Sequence, residues 1–330
     1  MGLFHCPIAA VGYKADGCIL CGLCVARTRK EAVAASKILR AYLAEHASKR
    51  QKRYMIEKIT VCGKGGVGKS TITSLLSDSL AEYGYSILVL DMDDSNPGLF
   101  KQFGFKEEPV PLMKLLERFS LDEALPAPTW LAQDKILFGD IPGEYYLSKN
   151  RLKFMMVGKI DDPFQGCACS MSDVVRDLII KIDNQDKEII VVDQEAGVES
   201  FGRGVERGVD TIVVIVEPSS ESIAVAEKIR YMAEGIGITR IRAILNKMPS
   251  ESVAKKVAQH LLERGIKHLG AIYIDSEISE ASLSGEMVGE SKARKRMRTI
   301  TRLLLDESEM KYATPADLPG TSDLDSISFT

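Results

Sequence analysis

VCGKGGVGKST, residues 61–71, follows the apolar run MIEKIT and leads into ITSLLSDSLAEYG. From Gly63 to Ser70 it satisfies G-x-x-x-x-G-K-S/T, the pattern of a phosphate-binding loop. Gly63, Gly65, Gly66 and Gly68, with Val67 among them, let backbone N–H groups converge on phosphate oxygens without side-chain clash. The helix expected from Lys69 adds the positive end of its dipole. In this pattern Lys69 reaches the β- and γ-phosphates, the Ser70 hydroxyl binds Mg2+, and Thr71 follows in the same helical turn. The competing reading is a chance glycine turn. The strand before and the helix after argue against it.

Working outward, MIEKITVCG is a short strand, and KSTITSLLSDSLAEYG is a helix ended by Gly84. SILVLDMD, KEIIVVDQEAG, DTIVVIVEPSS and RIRAILNKM are further apolar strands, each with a polar edge. Helical stretches at 220–235 and 250–264 separate the later ones. Strands alternating with helices predict an α/β fold with a doubly wound, mostly parallel sheet. Its ligands belong at the carboxyl ends of the strands. Asp91, Asp93 and Asp193 stand at such ends, and so does Asn246. Taken alone, a carboxylate there is equally a helix cap and an asparagine a turn former.

The chain has 330 residues, enough for one large α/β domain with an appendage. A net charge of −3 gives no global pull toward nucleic acid. No apolar run approaches the roughly 18 residues needed to span a bilayer. MGLFHCPIAA lacks a basic leader, and position 6 is Cys, not the Ser or Thr of a myristoylation signal. The reading is cytoplasmic, where seven cysteines favour metal or redox chemistry over structural disulfides. The expected division is a Cys-rich module at 1–26, a basic amphipathic helix and linker at 27–54, the ATPase at 55–308 and an acidic tail at 309–330. Met55 is placed to open a complete ATPase, so the segment before it reads as an added module. The stripe Met297, Ile300, Leu303 and Leu304 reads as a packing face.

Two cysteine patterns carry chemistry. Cys18-x-x-Cys21-x-x-Cys24 has the spacing that wraps an iron–sulfur cube. No further cysteine follows in 25–29, but Cys6-Pro7 lies upstream, so Cys6 is the candidate fourth ligand of a 4Fe–4S cluster. Zinc held by four thiolates is the alternative. Cys167-Ala168-Cys169 sits where a helix is expected to begin, and partial positive charge there favours thiolate. One such pair gives two ligands, and a closed tetrahedral site needs four. A twofold dimer supplies the others, which suggests a metal or cluster on the dimer axis. A pair of small buried residues is the alternative.

KGGVGKST resembles the deviant Walker A motif of the family that includes the nitrogenase iron protein, the cell-division and partition ATPases and the CooC-type nickel-insertion ATPases. The resemblance implies that Lys64 reaches across a homodimer to the partner's nucleotide. It also implies that Asp93 orients the attacking water, that Asp193 holds Mg2+ through water, and that Asn246 reads adenine. GCAC, followed by VVDQEAGVESFGRGVERGVDTIVVIVEPSSESIAVAEKI, is similar to the carbon monoxide dehydrogenase maturation ATPases over about residues 55–305. In them the Cys-x-Cys binds nickel or zinc between subunits, and ATP hydrolysis accompanies nickel insertion. Ser200 departs from the usual His, DMDDSNPGL is a loose version of the switch text, and the front module is foreign to simple members.

The leading expectation is therefore a dimeric maturation ATPase with a client such as nickel carbon monoxide dehydrogenase. A ferredoxin or other redox donor is a further expected partner. The alternative is an ATP-gated electron donor with a 4Fe–4S cluster bridging Cys167 and Cys169 of two subunits. It lacks a second loop cysteine, since Cys62 falls on the first strand. A membrane- or DNA-binding module is disfavoured because an acidic tail follows the basic SKARKRMRTITRLL.

Overall fold

A computed structural model describes residues 56–93, 98–114, 128–158, 168–198, 201 and 204–307. The segments 1–26, 27–54 and 309–330 lie outside the described residues, with Cys6, Cys18, Cys21, Cys24 and Cys167.

Eight strands form one sheet. They are β1 (Lys58–Gly63), β2 (Ser86–Asp91), β3 (Leu147–Lys149), β4 (Leu152–Met156), β5 (Glu188–Asp193), β6 (Thr211–Val216), β7 (Arg240–Met248) and β8 (Lys267–Tyr273). Their order across the sheet is β3-β4-β2-β5-β1-β6-β7-β8. All pairings are parallel except β3 with β4. That hairpin turns on Asn150, whose φ of 54° suits a left-handed position. The described helices are α1 (Lys69–Glu82), α2 (Leu99–Gln102), α3 (Ala168–Lys181), α4 (Ser220–Gly235), α5 (Glu251–Glu263), α6 (Ser276–Ser284) and α7 (Lys292–Asp306).

The inner strands are apolar on both faces because helices cover both. Ile59, Val61, Val89, Val191, Val213 and Ile215 share one core with Ile72 and Leu76 of α1 and Met297, Ile300 and Leu304 of α7. Leu88, Leu90, Ile190, Val192 and Val214 share the other with Leu178 of α3, Ile229 of α4 and Leu261 of α5. Leu303 does not join the packing face expected of it. It is 45% exposed, because the helical turn carries it outside the arc that Met297, Ile300 and Leu304 bury.

Side chains fasten the start of the sheet. Half-buried Asp210 accepts the amides of Glu57 (2.9 Å) and Lys58 (2.7 Å). The Lys58 ammonium donates to the carbonyls of Ile179 and Ile182, both at 2.6 Å, and so caps the carboxyl end of α3. Ion pairs tie α7 to α1, with Arg294 meeting Asp78 at 2.6 Å and Glu82 at 3.0 Å.

β1 lies between β5 and β6, and the chain winds away from it in both directions. The crevice outside the carboxyl ends is the ligand position of such a sheet. Gly63, Asp91, Asp193 and Asn246 all come to that edge.

Candidate functional site

The loop from Gly63 to Gly68 leaves β1 and enters α1 directly. Gly63 has φ 149°, and a Cβ there would sit 2.6 Å from the Ile215 carbonyl of β6. Only glycine lets the strand pass that close. Gly68 has φ 91° and caps α1 with no side-chain bond, and no acidic residue occupies the first turn. The positive end of α1 is thus left to a ligand. Gly66 is left-handed at φ 78° with open space beside it. A Cβ on Gly65 would sit 3.6 Å from Ala196 Cβ, an ordinary contact, and Val67 is fully buried as the loop's apolar plug.

Lys69 and Ser70 are buried in the first turn of α1, and Thr71 is partly exposed. Ser70 donates to one oxygen of Asp193 at 2.8 Å, and Thr73 donates to the other at 2.8 Å. Asp193 is fully buried at the end of β5. Burial pushes its carboxyl up to about 6, against the pull of the Ser70 and Thr73 hydroxyls and of the Lys69 ammonium, while Asp93 adds to the rise. Buried Asp91 ends β2 and buried Asp93 follows just beyond it, where the Asp93 amide donates to Asp91 Oδ1 at 3.2 Å. Asp193 thus stands beside Asp91 in the sheet register and within electrostatic reach of Asp93 and Lys69, with the Ser70 hydroxyl bonded to it. A divalent cation with its water shell fits that donor set.

Asn246 stands on β7, where its amide Nδ2 donates to the Val67 carbonyl at 2.8 Å. The next residue, Lys247, donates to the Gly66 carbonyl at 2.6 Å. Lys64, the extra lysine of the loop, turns to Glu217 at the end of β6, 3.2 Å away. Glu217 in turn accepts from Ser219 Oγ at 3.5 Å, and its amide donates to Ser222 Oγ. Thr73, Glu217 and Lys247 are site residues that the sequence reading missed. The second hydroxyl of ST-x-T and the lysine after Asn246 were the signals available for two of them. Glu217 lies in the Glu217-Pro218-Ser219 run that carries the family resemblance, but its place beside Lys64 comes only with the parallel pairing of β1 with β6.

The cysteines divide. Cys62 is fully buried on β1, and burial with the nearby Glu206 carboxylate pushes its thiol far above the usual range. It is an inert core residue, as its place on the strand implied. The helix α3 starts at Ala168, so Cys169 lies in its first turn, while Cys167 lies outside the described residues. Among the described residues no cluster of three or more Cys, His, Asp or Glu is arranged to hold a metal ion. No helix among them is long and apolar enough to cross a membrane.

Comparison with known proteins agrees with this geometry. Residues 58–288 match the family described as the CobQ/CobB/MinD/ParA nucleotide binding domain. An uncharacterized ATP-binding protein of Methanocaldococcus jannaschii is 37% identical over 242 residues, 69% of this chain and 92% of that relative. The carbon monoxide dehydrogenase accessory protein CooC of Rhodospirillum rubrum is 32% identical over 237 residues, 69% of this chain and 88% of that protein. The MinC:MinD cell division complex of Aquifex aeolicus contains a chain similar in fold, with TM-score 0.55 and 21% identity over 76% of this chain and 96% of that one.

Proposed function

The chain belongs to the CobQ/CobB/MinD/ParA nucleotide-binding family, and from that premise we propose a dimeric maturation factor that couples ATP hydrolysis to delivery of nickel, its cargo, to carbon monoxide dehydrogenase or a related metalloenzyme. The family and the 32% identity to the accessory protein make the chain an ATPase of the MinD/ParA type and support an ATP-dependent role in maturation. The nickel cargo, the dimer and the client are our reading.

In this reading the amides of Gly65, Gly66, Val67 and Gly68 cradle the phosphates, and Lys69 neutralises them. Ser70 binds Mg2+, and Asp193, with Asp91 beside it, holds the ion's water shell. When bound, Mg2+ offsets the charge that develops between the β- and γ-phosphates. Asp93 orients the attacking water. Asn246 reads adenine with its carbonyl oxygen, since its amide already holds the loop. Lys64 leaves Glu217 to complete the nucleotide site of a second subunit. Closing two subunits in this way brings two Cys167–Cys169 pairs together as four thiolates for nickel or zinc. Cys6, Cys18, Cys21 and Cys24 hold a 4Fe–4S cluster for docking or electron exchange.

One observation carries the reading past nucleotide binding: α3 begins inside the Cys-x-Cys run, with Cys169 in its first turn. The helix dipole there favours thiolate, the metal-binding form. The electron-donor alternative draws no support from Cys62, which is shut inside the core.

The test is anaerobic purification with metal analysis and mass measurement, with and without MgATP. The expected result is a nucleotide-dependent dimer holding about half an equivalent of nickel or zinc per chain beside about four irons, the stoichiometry of one shared four-thiolate site and one cube. Replacing Cys167 and Cys169 with Ser removes the shared metal and spares the iron. A chain that stays monomeric, or a double variant that keeps its nickel or zinc, overturns the proposal.

A further inference from the structure

The phosphate loop is held from outside by two consecutive residues of β7. Asn246 Nδ2 donates to the Val67 carbonyl at 2.8 Å, and Lys247 Nζ donates to the Gly66 carbonyl at 2.6 Å. These bonds depend on an irregular backbone. The pairing of β7 with β8 shifts register between Leu245 and Met248, across this residue pair. Lys247 takes φ 56°, left-handed and uncommon for a side chain of its length. A bulge of this kind re-aims side chains, and it is found next to functional sites. Here it directs two successive side chains toward one loop, whereas a regular strand sends neighbours to opposite faces.

The consequence follows from peptide geometry. In a trans peptide the C=O and the following N–H point in opposite directions, and no cis bond is present among the described residues. Holding the Gly66 carbonyl outward turns the Val67 N–H inward. Holding the Val67 carbonyl outward does the same for the Gly68 N–H. We propose that the Asn246–Lys247 bulge is a positioning device that presets two phosphate-binding amides of the loop, with Lys247 acting through Gly66 and not by touching the nucleotide. This rests on the reading of the loop as a nucleotide site. It assigns to Lys247 a role in phosphate affinity, separate from base recognition by Asn246.

The test measures MgADP and adenosine binding to the full chain by calorimetry, beside thermal unfolding without ligand. Lys247→Met removes the ammonium. Lys247→Asn also removes it, with a short polar side chain that suits the left-handed backbone, and it serves if the first variant folds poorly. Lys247→Arg restores a donor. The expected result is a loss of about tenfold in MgADP affinity for both truncated variants, the scale of one hydrogen bond to a charged group. Adenosine binding and the ligand-free melting temperature stay unchanged, and the Arg variant recovers most of the loss. Equal loss for adenosine, or no loss for MgADP, overturns the inference and leaves the nucleotide site standing. A wild-type chain that binds no MgADP overturns both.

Discussion

The Lys64 ammonium and the Glu217 carboxylate stand 3.2 Å apart within one subunit, joining the phosphate loop to the end of β6. The lysine that completes a second subunit's site in the proposed mechanism is thus held at home by a partly exposed ion pair. Such pairs are weak, so release is easy. Glu217→Gln is expected to raise ATP turnover at low protein concentration by about two- to fivefold, the scale of up to 1 kcal/mol. Turnover measured against protein concentration checks this. Unchanged or lower turnover removes the restraining role.

Asp193 makes stability depend on pH. Its folded-state value, raised to about 6, lies above the ordinary carboxylate value, so between them the native state binds more protons than the unfolded chain. Its effect on ligand-free stability is absent below the ordinary value and becomes increasingly unfavourable as pH rises to about 6. Asp193→Asn is expected to flatten that decline and to raise ligand-free stability at neutral pH by about 1–3 kcal/mol. The same change abolishes Mg2+-dependent hydrolysis. Denaturant titrations between acid and neutral pH decide it, and a variant that is less stable at neutral pH contradicts the assignment.

Two loop glycines separate fold from site. Gly63→Ala places a Cβ 2.6 Å from the Ile215 carbonyl, a backbone atom with little room to yield. It is expected to destabilise the sheet by about 3 kcal/mol or more. Gly66→Ala meets nothing within 4 Å, so it carries only the left-handed penalty of about 1–2 kcal/mol. Thermal melts of the two variants are expected to rank in that order, and the reverse ranking refutes the packing argument.

Arg294 supports Asp78, whose carboxyl burial pushes up while the guanidinium pulls it down. Arg294→Met leaves that carboxylate half-stranded, for an expected loss of about 2–3 kcal/mol at neutral pH. With its counterion gone Asp78 rises further, the native state holds its proton to higher pH, and stability falls as pH rises. The deficit is therefore smaller near pH 5 (about the upper edge of ordinary carboxylate titration), while nucleotide affinity is unchanged. A deficit independent of pH sinks the ionic account.

Most of the fold was legible because its signals are local. The glycine spacing fixed the loop, and the apolar runs ending in Asp91 and Asp193 marked strands that bury both faces. The helices at 220–235 and 250–264 appear as α4 and α5, with Ser219 and Ser250 as their caps. What escaped was made by pairing at a distance. β3 and β4 are too short or too mixed to announce themselves, and β8 begins with two exposed polar residues. The contacts of Thr73 with Asp193 and of Lys64 with Glu217 join residues more than a hundred positions apart. Lys247 was visible as the residue after Asn246, but its aim at the loop was not, since it depends on a register slip that no periodicity records.

The margins of the sheet restrict how copies of this chain can associate. On one side β3 is three residues long and is followed by exposed Asn150 and Arg151, and on the other β8 opens with exposed Lys267 and His268. A brief border flanked by a cation, as at β3, disfavours strand addition, the route by which open sheets fuse into ribbons and aggregates, and at β8 Lys267 adds a charge to the edge. Growth by edge-to-edge stitching is therefore discouraged at β3, which leaves the dimer proposed above to form elsewhere, at the rim where the loop and its carboxylates gather.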